Sequence, residues 1–95
     1  MSVTIGKVET FPDAQADKEQ ILKVLEESAE VFAAWQAWID AQRDDYPVRW
    51  RRDDLVDECA DLIQATCNLL AGLGVDDMTE AMERCRIRNV ERGRM

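Results

Sequence analysis

Two short segments of the chain carry closely spaced acidic residues inside otherwise apolar surroundings. The first is LEESAEVF, Leu25 to Phe32, and the second is VDECADLI, Val56 to Ile63. On a helix, residues three positions apart lie on one side, one turn apart in height, so each segment presents two carboxylates from one face. The pairs are Glu27 with Glu30, and Glu58 with Asp61. Carboxylates within apolar stripes are unfavourable unless a cation pairs with them.

The chemistry of these pairs follows from the type of ligand that they offer. If the two helices pack antiparallel, the pairs face each other as a basin of four carboxylates. The chain contains no His, and oxygen ligands without a nearby cysteine pair favour Mg²⁺ or Mn²⁺ over Zn²⁺. Such ions polarise a phosphoryl oxygen and activate a water for in-line attack. A single E-E-x-x-E run is usually an exposed acidic face, but two matched runs predict hydrolysis of a phosphoanhydride.

Polar residues near the C-terminus are candidates for substrate binding. The apolar stripe of the last predicted helix, Met78, Met82 and Cys85, continues into Asn89 and Arg92. Asn89 is suited to hydrogen-bond a base or ribose, and Arg92 to hold a phosphate through its forked guanidinium. The alternative is a solvated C-terminus whose cations suit the helix dipole.

Five further residues, two arginines and three tryptophans, are weaker candidates for contact with a nucleotide. Arg86 and Arg88 offer additional cations. Trp35 is able to stack on a base, although Trp35 and Trp38 at helical spacing more often pack in a core or a dimer interface. Trp50 lies in a basic connector and is positioned to cover a bound nucleotide.

Helix-start and helix-end residues divide the chain into an arm and three helices. The predicted arm spans residues 1–12, and the helices span about 13–43, 53–72 and 76–91. The predicted N-caps are Asp13 or Asp17, Asp53 or Asp54, and Asp76 or Asp77. The segment from Asp44 to Pro47 ends the first helix, Gly72 and Gly74 end the second, and Gly93 ends the third.

The fold class that follows is all-α, in a single domain spanning residues 1–95. We expect an antiparallel helical hairpin plus a third helix. Because a monomer of this kind leaves wide apolar faces uncovered, we expect oligomerisation to complete a four-helix-bundle-type core. A homodimer or a homotetramer is the predicted assembly.

Charge and cysteine content restrict the partners and the compartment. The net charge of −8 argues against a nucleic acid polymer or an anionic membrane, although cations can bridge an acidic protein to a single nucleotide. Three cysteines, Cys59, Cys67 and Cys85, lie in apolar helical patterns. Buried free thiols of this kind fit a reducing cytoplasm, and no apolar run approaches the length of a membrane span.

The two acidic segments also resemble a known motif. EESAE followed by DECAD resembles E-E-x-x-E and then E-x-x-D of the MazG-like, all-α nucleoside triphosphate pyrophosphohydrolases. The resemblance continues through NLLAGLGV to an R-N-x-x-R element at Arg88 to Arg92. The chain departs from the family in this element: a Lys is common there in the family, whereas this chain has Arg88 or Arg86 in its place.

The resemblance implies a Mg²⁺-dependent enzyme that cleaves a (deoxy)nucleoside triphosphate into the monophosphate and pyrophosphate, as in house-cleaning of non-standard nucleotides. By position, Glu27, Glu30, Glu58 and Asp61 match the metal ligands of the family. Glu26 would orient a ligand or help activate the water, and two or more subunits would surround each site. The alternatives are a catalytically silent helical module that binds a nucleotide or a protein, and a purely structural helical dimer.

Overall fold

The computed structural model describes residues 1–43 and 49–95, and within these ranges it contains three helices and no strand. Helix α1 spans Lys18–Arg43, α2 spans Arg49–Gly72 and α3 spans Thr79–Glu91. The all-α class is therefore confirmed. The predicted helix end between Asp44 and Pro47 lies outside the described residues.

The helix starts differ by three to five residues from the predicted ranges, although α1 uses one of its two predicted caps. Helix α1 begins at Lys18 because Asp17 caps it: Oδ1 of Asp17 accepts a hydrogen bond from the backbone N–H of Gln20 at 2.9 Å. Residues 13–17 consequently belong to the N-terminal arm. Helix α2 begins at Arg49, so the predicted caps Asp53 and Asp54 lie within it.

Helix α3 begins at Thr79, after a turn held by Asp77. Oδ1 of Asp77 accepts from the backbone N–H of Thr79 at 2.9 Å and from its hydroxyl at 2.6 Å. These two bonds hold the pKa of Asp77 below its usual value. The aspartate therefore orders the turn before the helix.

The end of α2 explains why glycine is needed at Gly74. Its φ of +76° is a left-handed conformation that glycine adopts without steric penalty. The N–H of Val75 donates to the carbonyl of Leu70, and the N–H of Gly74 donates to the carbonyl of Ala71, each at 2.9 Å. This is a Schellman motif, and Gly93 ends α3 in the same way.

Helices α1 and α2 form the predicted antiparallel hairpin. The side-chain amide of Gln20, early in α1, donates to the carbonyl of Ala65, late in α2, at 2.9 Å. Ala34, later in α1, lines a cavity together with Asp54, early in α2. Within the described ranges, α3 packs against neither helix.

The interior of one chain is small. Among the described residues only Ala41, Ala65, Glu27 and Asn68 are buried, whereas large apolar side chains such as Phe32 are exposed (64%). The radius of gyration, 16.0 Å, exceeds the value of about 12 Å expected of a compact chain of this length. The apolar faces are thus left uncovered within one chain.

The cysteine prediction was only partly right. All three thiols are free, but Cys59 is exposed, and Cys67 and Cys85 are half-buried. The difference arises because α1 is the only described helix that packs on α2, so the side of α2 that carries Cys59 faces solvent. None of the described helices has the length and apolar character needed to cross a membrane.

Candidate metal and nucleotide site

Three of the four predicted carboxylates meet between α1 and α2. Glu27 comes from the middle of α1, and Glu58 and Asp61 come from successive turns of α2. One carboxylate oxygen of each residue lies within 4.8 Å of the other two. Because the hairpin is antiparallel, residues distant in sequence are brought to the same level of the two helices.

The cluster contains buried oxygens that lack a partner. Glu27 is only 8% exposed, and its Oε1 is paired with Nζ of Lys23 at 3.0 Å. Within the described part of the chain, Oε2 of Glu27 and Oε2 of Glu58 have no hydrogen-bond donor. A buried carboxylate oxygen without a partner is unfavourable by about 1–3 kcal/mol or more. The set of oxygen donors and its unmet bonding capacity fit a hard divalent cation such as Mg²⁺.

Glu30 lies beside this cluster and outside the group of three. It is exposed at the surface of α1, and it lines a cavity of about 450 Å³ together with Glu58. The negative charge of Glu27 is the main cause that raises the pKa of Glu30, followed by partial desolvation, and the charges of Glu58 and Glu26 add to it. The raised pKa indicates that the negative charges of the cluster act on Glu30.

Lys23 is a contact of the cluster that the sequence analysis missed. Its ammonium lies 3.0 Å from Glu27 and 3.6 Å from Glu26. The pKa of Lys23 is raised, first by its hydrogen bond to Glu27. The signal was available in the sequence, because Lys23 stands four positions before Glu27 and such pairs meet on a helix surface.

Arg51 is a second cation near the carboxylates to which no role was assigned from the sequence. It lines the 450 Å³ cavity with Glu30 and Glu58, and its guanidinium lies 3.8 Å from the centroid of the Trp50 ring. Stacking on an aromatic face orients a guanidinium while leaving its N–H edge free. Cations therefore lie on two sides of the cluster.

Comparison with protein families identifies the chain. Residues 6–89 match the model of the phosphoribosyl-ATP pyrophosphohydrolase family. The chain belongs to this family. Phosphoribosyl-ATP pyrophosphohydrolases are MazG-like all-α proteins, so the resemblance noted in the sequence is confirmed. Comparison with curated proteins and with solved structures gave no significant match.

The family match covers most of the candidate site. It includes the arm from residue 6, the whole hairpin and α3 as far as Asn89, and it ends before Arg92. Membership in a pyrophosphohydrolase family is consistent with a hydrolase that acts on a phosphoanhydride. The match also spans Glu27, Glu58 and Asp61 of the carboxylate cluster.

The predicted substrate residues of α3 lie apart from the carboxylates of the same chain. The amide of Asn89 donates to Sγ of Cys85 at 3.6 Å and accepts from Arg94 at 3.4 Å. Arg88 and Arg92 are exposed. Because α3 packs against neither α1 nor α2 within the described ranges, none of these side chains is brought to the cluster by its own chain.

Trp35 and Arg86 already have partners on their own helices. The ring of Trp35 lies 5.9 Å from that of Phe32. Arg86 pairs with Glu83 at 3.0 Å, and this pairing raises the pKa of Arg86 and lowers that of Glu83. Arg86 is thereby engaged with an acid of α3.

Proposed function

We propose that this protein hydrolyses phosphoribosyl-ATP or a nucleoside triphosphate between the α and β phosphates, releasing pyrophosphate in a Mg²⁺-dependent reaction. The observation that carries the proposal is the group of Glu27, Glu58 and Asp61, whose oxygens lie within 4.8 Å of one another. Two of these side chains keep a buried oxygen that receives no hydrogen bond from the described part of the chain. The family match favours phosphoribosyl-ATP as the first substrate to test.

The carboxylates have separate tasks in this proposal. Glu27, Glu58 and Asp61 hold the cation, and Glu30 completes the set of ligands from the exposed side. A bound Mg²⁺ supplies charge stabilisation at the phosphoryl oxygens and a more acidic water. Lys23 keeps one oxygen of Glu27 occupied, so that the other oxygen faces the cation. Mn²⁺ is the expected substitute because it accepts the same oxygen ligands.

Cations of the chain would neutralise the polyphosphate. Lys23 lies beside Glu27, and Arg51 lines the cavity on the side of Glu30 and Glu58. Both groups are able to contact phosphate oxygens once a cation has neutralised the carboxylates. Together they offset part of the repulsion between an acidic site and an anionic substrate.

We further propose that a second copy of the chain completes the site in a homodimer or a homotetramer. Support comes from the exposed apolar side chains of the hairpin, such as Leu25 and Phe32, and from α3, which packs against neither hairpin helix within the described ranges. In such an assembly, Asn89 and Arg92 of one copy would meet the carboxylates of another. Their roles in binding the base or ribose and the phosphates remain as proposed from the sequence.

The direct test measures pyrophosphate release in the presence of Mg²⁺ or Mn²⁺. Phosphoribosyl-ATP and a panel of standard and non-standard nucleoside triphosphates serve as substrates. We expect turnover by the wild-type chain and its loss in Glu58→Gln, whereas Asp57→Asn, an exposed acid on the same helix, retains activity.

The outcome of this assay separates the candidate functions. Preference for phosphoribosyl-ATP identifies the substrate named by the family, and preference for non-standard nucleotides supports the house-cleaning role. Nucleotide binding without turnover of any substrate contradicts the enzyme and supports a catalytically silent binding module. Equal activity of Glu58→Gln and the wild type contradicts the proposal that Glu58 helps to hold the cation.

A further inference from the structure

A cavity of about 260 Å³ lies between the N-terminal arm and the hairpin, directly beside the carboxylate cluster. Phe11 of the arm, Gln20 of α1 and Asn68 of α2 form its far wall, and Glu27 and Asp61 form its near wall. A wider space of about 710 Å³ shares Phe11, Gln20 and Asn68 and opens toward solvent. The cavity therefore adjoins two of the proposed cation ligands.

The arm is anchored to α2 by side-chain amides. The backbone N–H of Phe11 donates to Oδ1 of Asn68 at 3.0 Å. The amide of Gln64 donates to Oδ1 of Asn68 at 3.1 Å and to the carbonyl of Glu9 at 3.0 Å. Further along the arm, the backbone of Gln15 and Ala16 packs so closely on Gly72 that a Cβ there would overlap it. The arm is thus a fixed wall of the cavity.

These hydrogen bonds determine how the amides face the cavity. Oδ1 of Asn68 has to face the N–H of Phe11, which places its NH₂ group on the other side. Asn68 is only 3% exposed, and within the described residues its NH₂ group has no acceptor. Gln64 and Gln20 are fixed the other way round, since each donates through its NH₂ group to a backbone carbonyl. Their oxygens remain available to accept.

The groups around the cavity change in character along α2. Asn68 lies two helical turns, about 10 Å, from Asp61. At the Asn68 end stand the amides and the ring of Phe11, which is 63% exposed. At the Asp61 end stand the carboxylates and Lys23. The end with the aromatic ring and the amides suits a nucleobase. The end with Lys23 and the carboxylates that would hold a metal ion suits phosphates.

We propose that this cavity binds the nucleobase of the substrate, with Phe11 as its stacking surface and the amides of Asn68, Gln64 and Gln20 at its polar edge. The inference rests on the proposed function, because the cation site fixes where the phosphates lie. Phe11 would touch the base directly. Gln64 would also position the arm through Glu9 and Asn68.

The orientation of the amides predicts which bases fit. A donor on Asn68 beside acceptors on Gln64 and Gln20 complements an edge that carries an amino group next to a ring nitrogen. Adenine presents such an edge, with N7 as acceptor and the N6 amino group as donor. A base with a keto oxygen in place of the amino group leaves an acceptor facing an acceptor. The site should therefore prefer adenine over hypoxanthine.

The test is calorimetric binding of adenosine and inosine 5′-monophosphates to the full chain in the presence of Mg²⁺, with pyrophosphate as a ligand that lacks a base. We expect the adenine nucleotide to bind about 10-fold more tightly than the inosine nucleotide, because one hydrogen bond is lost. Phe11→Leu should weaken both monophosphates by at least about 5-fold, as expected for a lost stacking contact. Pyrophosphate binding should not change.

Matched variants distinguish loss of the stacking contact from disruption of the fold. Phe11→Tyr keeps the aromatic face and should restore binding, whereas Phe11→Leu keeps only the apolar bulk. Val3→Ala, an exposed position elsewhere in the arm, should behave like the wild type. Asn68→Asp retains an oxygen for the N–H of Phe11 but loses the NH₂ donor to N7, which adenine and hypoxanthine share, so it should weaken both monophosphates to a similar extent.

Two results would overturn the inference. One is unchanged binding of adenosine monophosphate by Phe11→Leu, and the other is equal binding of adenosine and inosine monophosphates by the wild type. Either result leaves the proposed function intact if the wild-type chain releases pyrophosphate from a substrate. Conversely, absence of turnover contradicts the enzyme but retains the base site if the wild type prefers adenine and Phe11→Leu weakens the binding of both monophosphates.

Discussion

The hairpin and α3 differ in how much of their structure one chain provides. The hairpin aligns two helices and brings Glu27, Glu58 and Asp61 together without help from another molecule. Helix α3 has a well-formed start at Asp77 and a well-formed end at Gly93, yet within the described ranges it packs against neither hairpin helix. Local signals are therefore enough to form a helix, but they do not give it a place in a core.

The two regions also differ in charge. The hairpin carries buried carboxylate oxygens that have no donor among the described residues. Helix α3 and the residues after it carry five arginines, Arg84, Arg86, Arg88, Arg92 and Arg94, and among the described residues only Arg86 is paired with an acid. One region is suited to hold cations and the other to hold phosphates. The complementary charge supports a site assembled from the hairpin of one copy and α3 of another.

The largest expected effect comes from neutralising the buried acid of the hairpin. Glu27→Gln should reduce kcat/KM by at least about 100-fold, since even the outer partners of metal ligands account for 10- to 100-fold. It should also abolish the rise in Tm that Mg²⁺ causes in the wild type, because a ligand that binds only the folded state stabilises it. Pyrophosphate release and thermal unfolding measure the two effects.

Glu26→Gln is the matched control for this comparison. Glu26 is adjacent in sequence but its side chain is 58% exposed, so we expect a loss of about 10-fold at most. Equal losses in Glu26→Gln and Glu27→Gln would contradict the separation of the buried ligand from its exposed neighbour.

The next effect concerns the uncovered apolar face. Phe32→Glu should convert the proposed homodimer or homotetramer to a monomer, because burying an unpaired charge in an interface is unfavourable by about 3 kcal/mol or more. Light scattering coupled to size-exclusion chromatography measures the mass. Val3→Glu, which places the same charge on the exposed arm, should leave the mass unchanged. A Phe32→Glu protein with the mass of the wild type would exclude this face from the interface.

A smaller effect is expected for the polar residues at the end of α3. Arg92→Ala should raise KM by about 10- to 100-fold, the loss expected of a hydrogen bond to a charged group, and Asn89→Ala by about 5-fold. Because the hairpin and α3 of different copies are proposed to share a site, mixing Arg92→Ala with Glu58→Gln should restore part of the activity.

The mixing experiment separates the two possible arrangements of α3. In mixed oligomers some sites receive a wild-type hairpin from one copy and a wild-type α3 from another. If each chain instead used its own α3, every site would carry one defect and mixing would restore nothing.

The smallest effect is a pH dependence at Glu30. Its raised pKa, caused first by the charge of Glu27, means that the ionised form is disfavoured in the folded state. Above the pKa of the unfolded chain, Glu30 therefore lowers stability, and the penalty is relieved as the pH falls through the raised pKa. Without Mg²⁺, Glu30→Gln should have a higher Tm than the wild type at neutral pH and an equal Tm in acid.

Adding Mg²⁺ should reverse this order at neutral pH, because the cation relieves the repulsion and the wild type has the additional ligand. Asp57→Asn serves as the control for removal of an acid that lies outside the cluster. A Tm of Glu30→Gln below that of the wild type at neutral pH without Mg²⁺ would contradict the repulsion that raises its pKa.

Several helix ends were predictable because they depend on residues close in sequence. Gly74 and Gly93 end their helices as expected, and Asp17 caps α1 as one of two predicted candidates. The start of α2 was placed too late because Asp53 and Asp54 are favourable cap types that here lie inside the helix. A cap preference is weaker than the tendency of the neighbouring residues to continue the helix, since residues 49–52 are helical as well.

The sequence by itself determined the three helices, the paired carboxylates and the residues at the helix ends, because each follows from periodicity or from contacts within one turn. Only the tertiary structure decided that Glu27, Glu58 and Asp61 converge while Glu30 stays at the edge. It also decided that the N–H of Phe11 is held by Asn68, 57 positions away. Such contacts depend on the packing angle and register of the two helices and on the path of the arm, which no local pattern specifies.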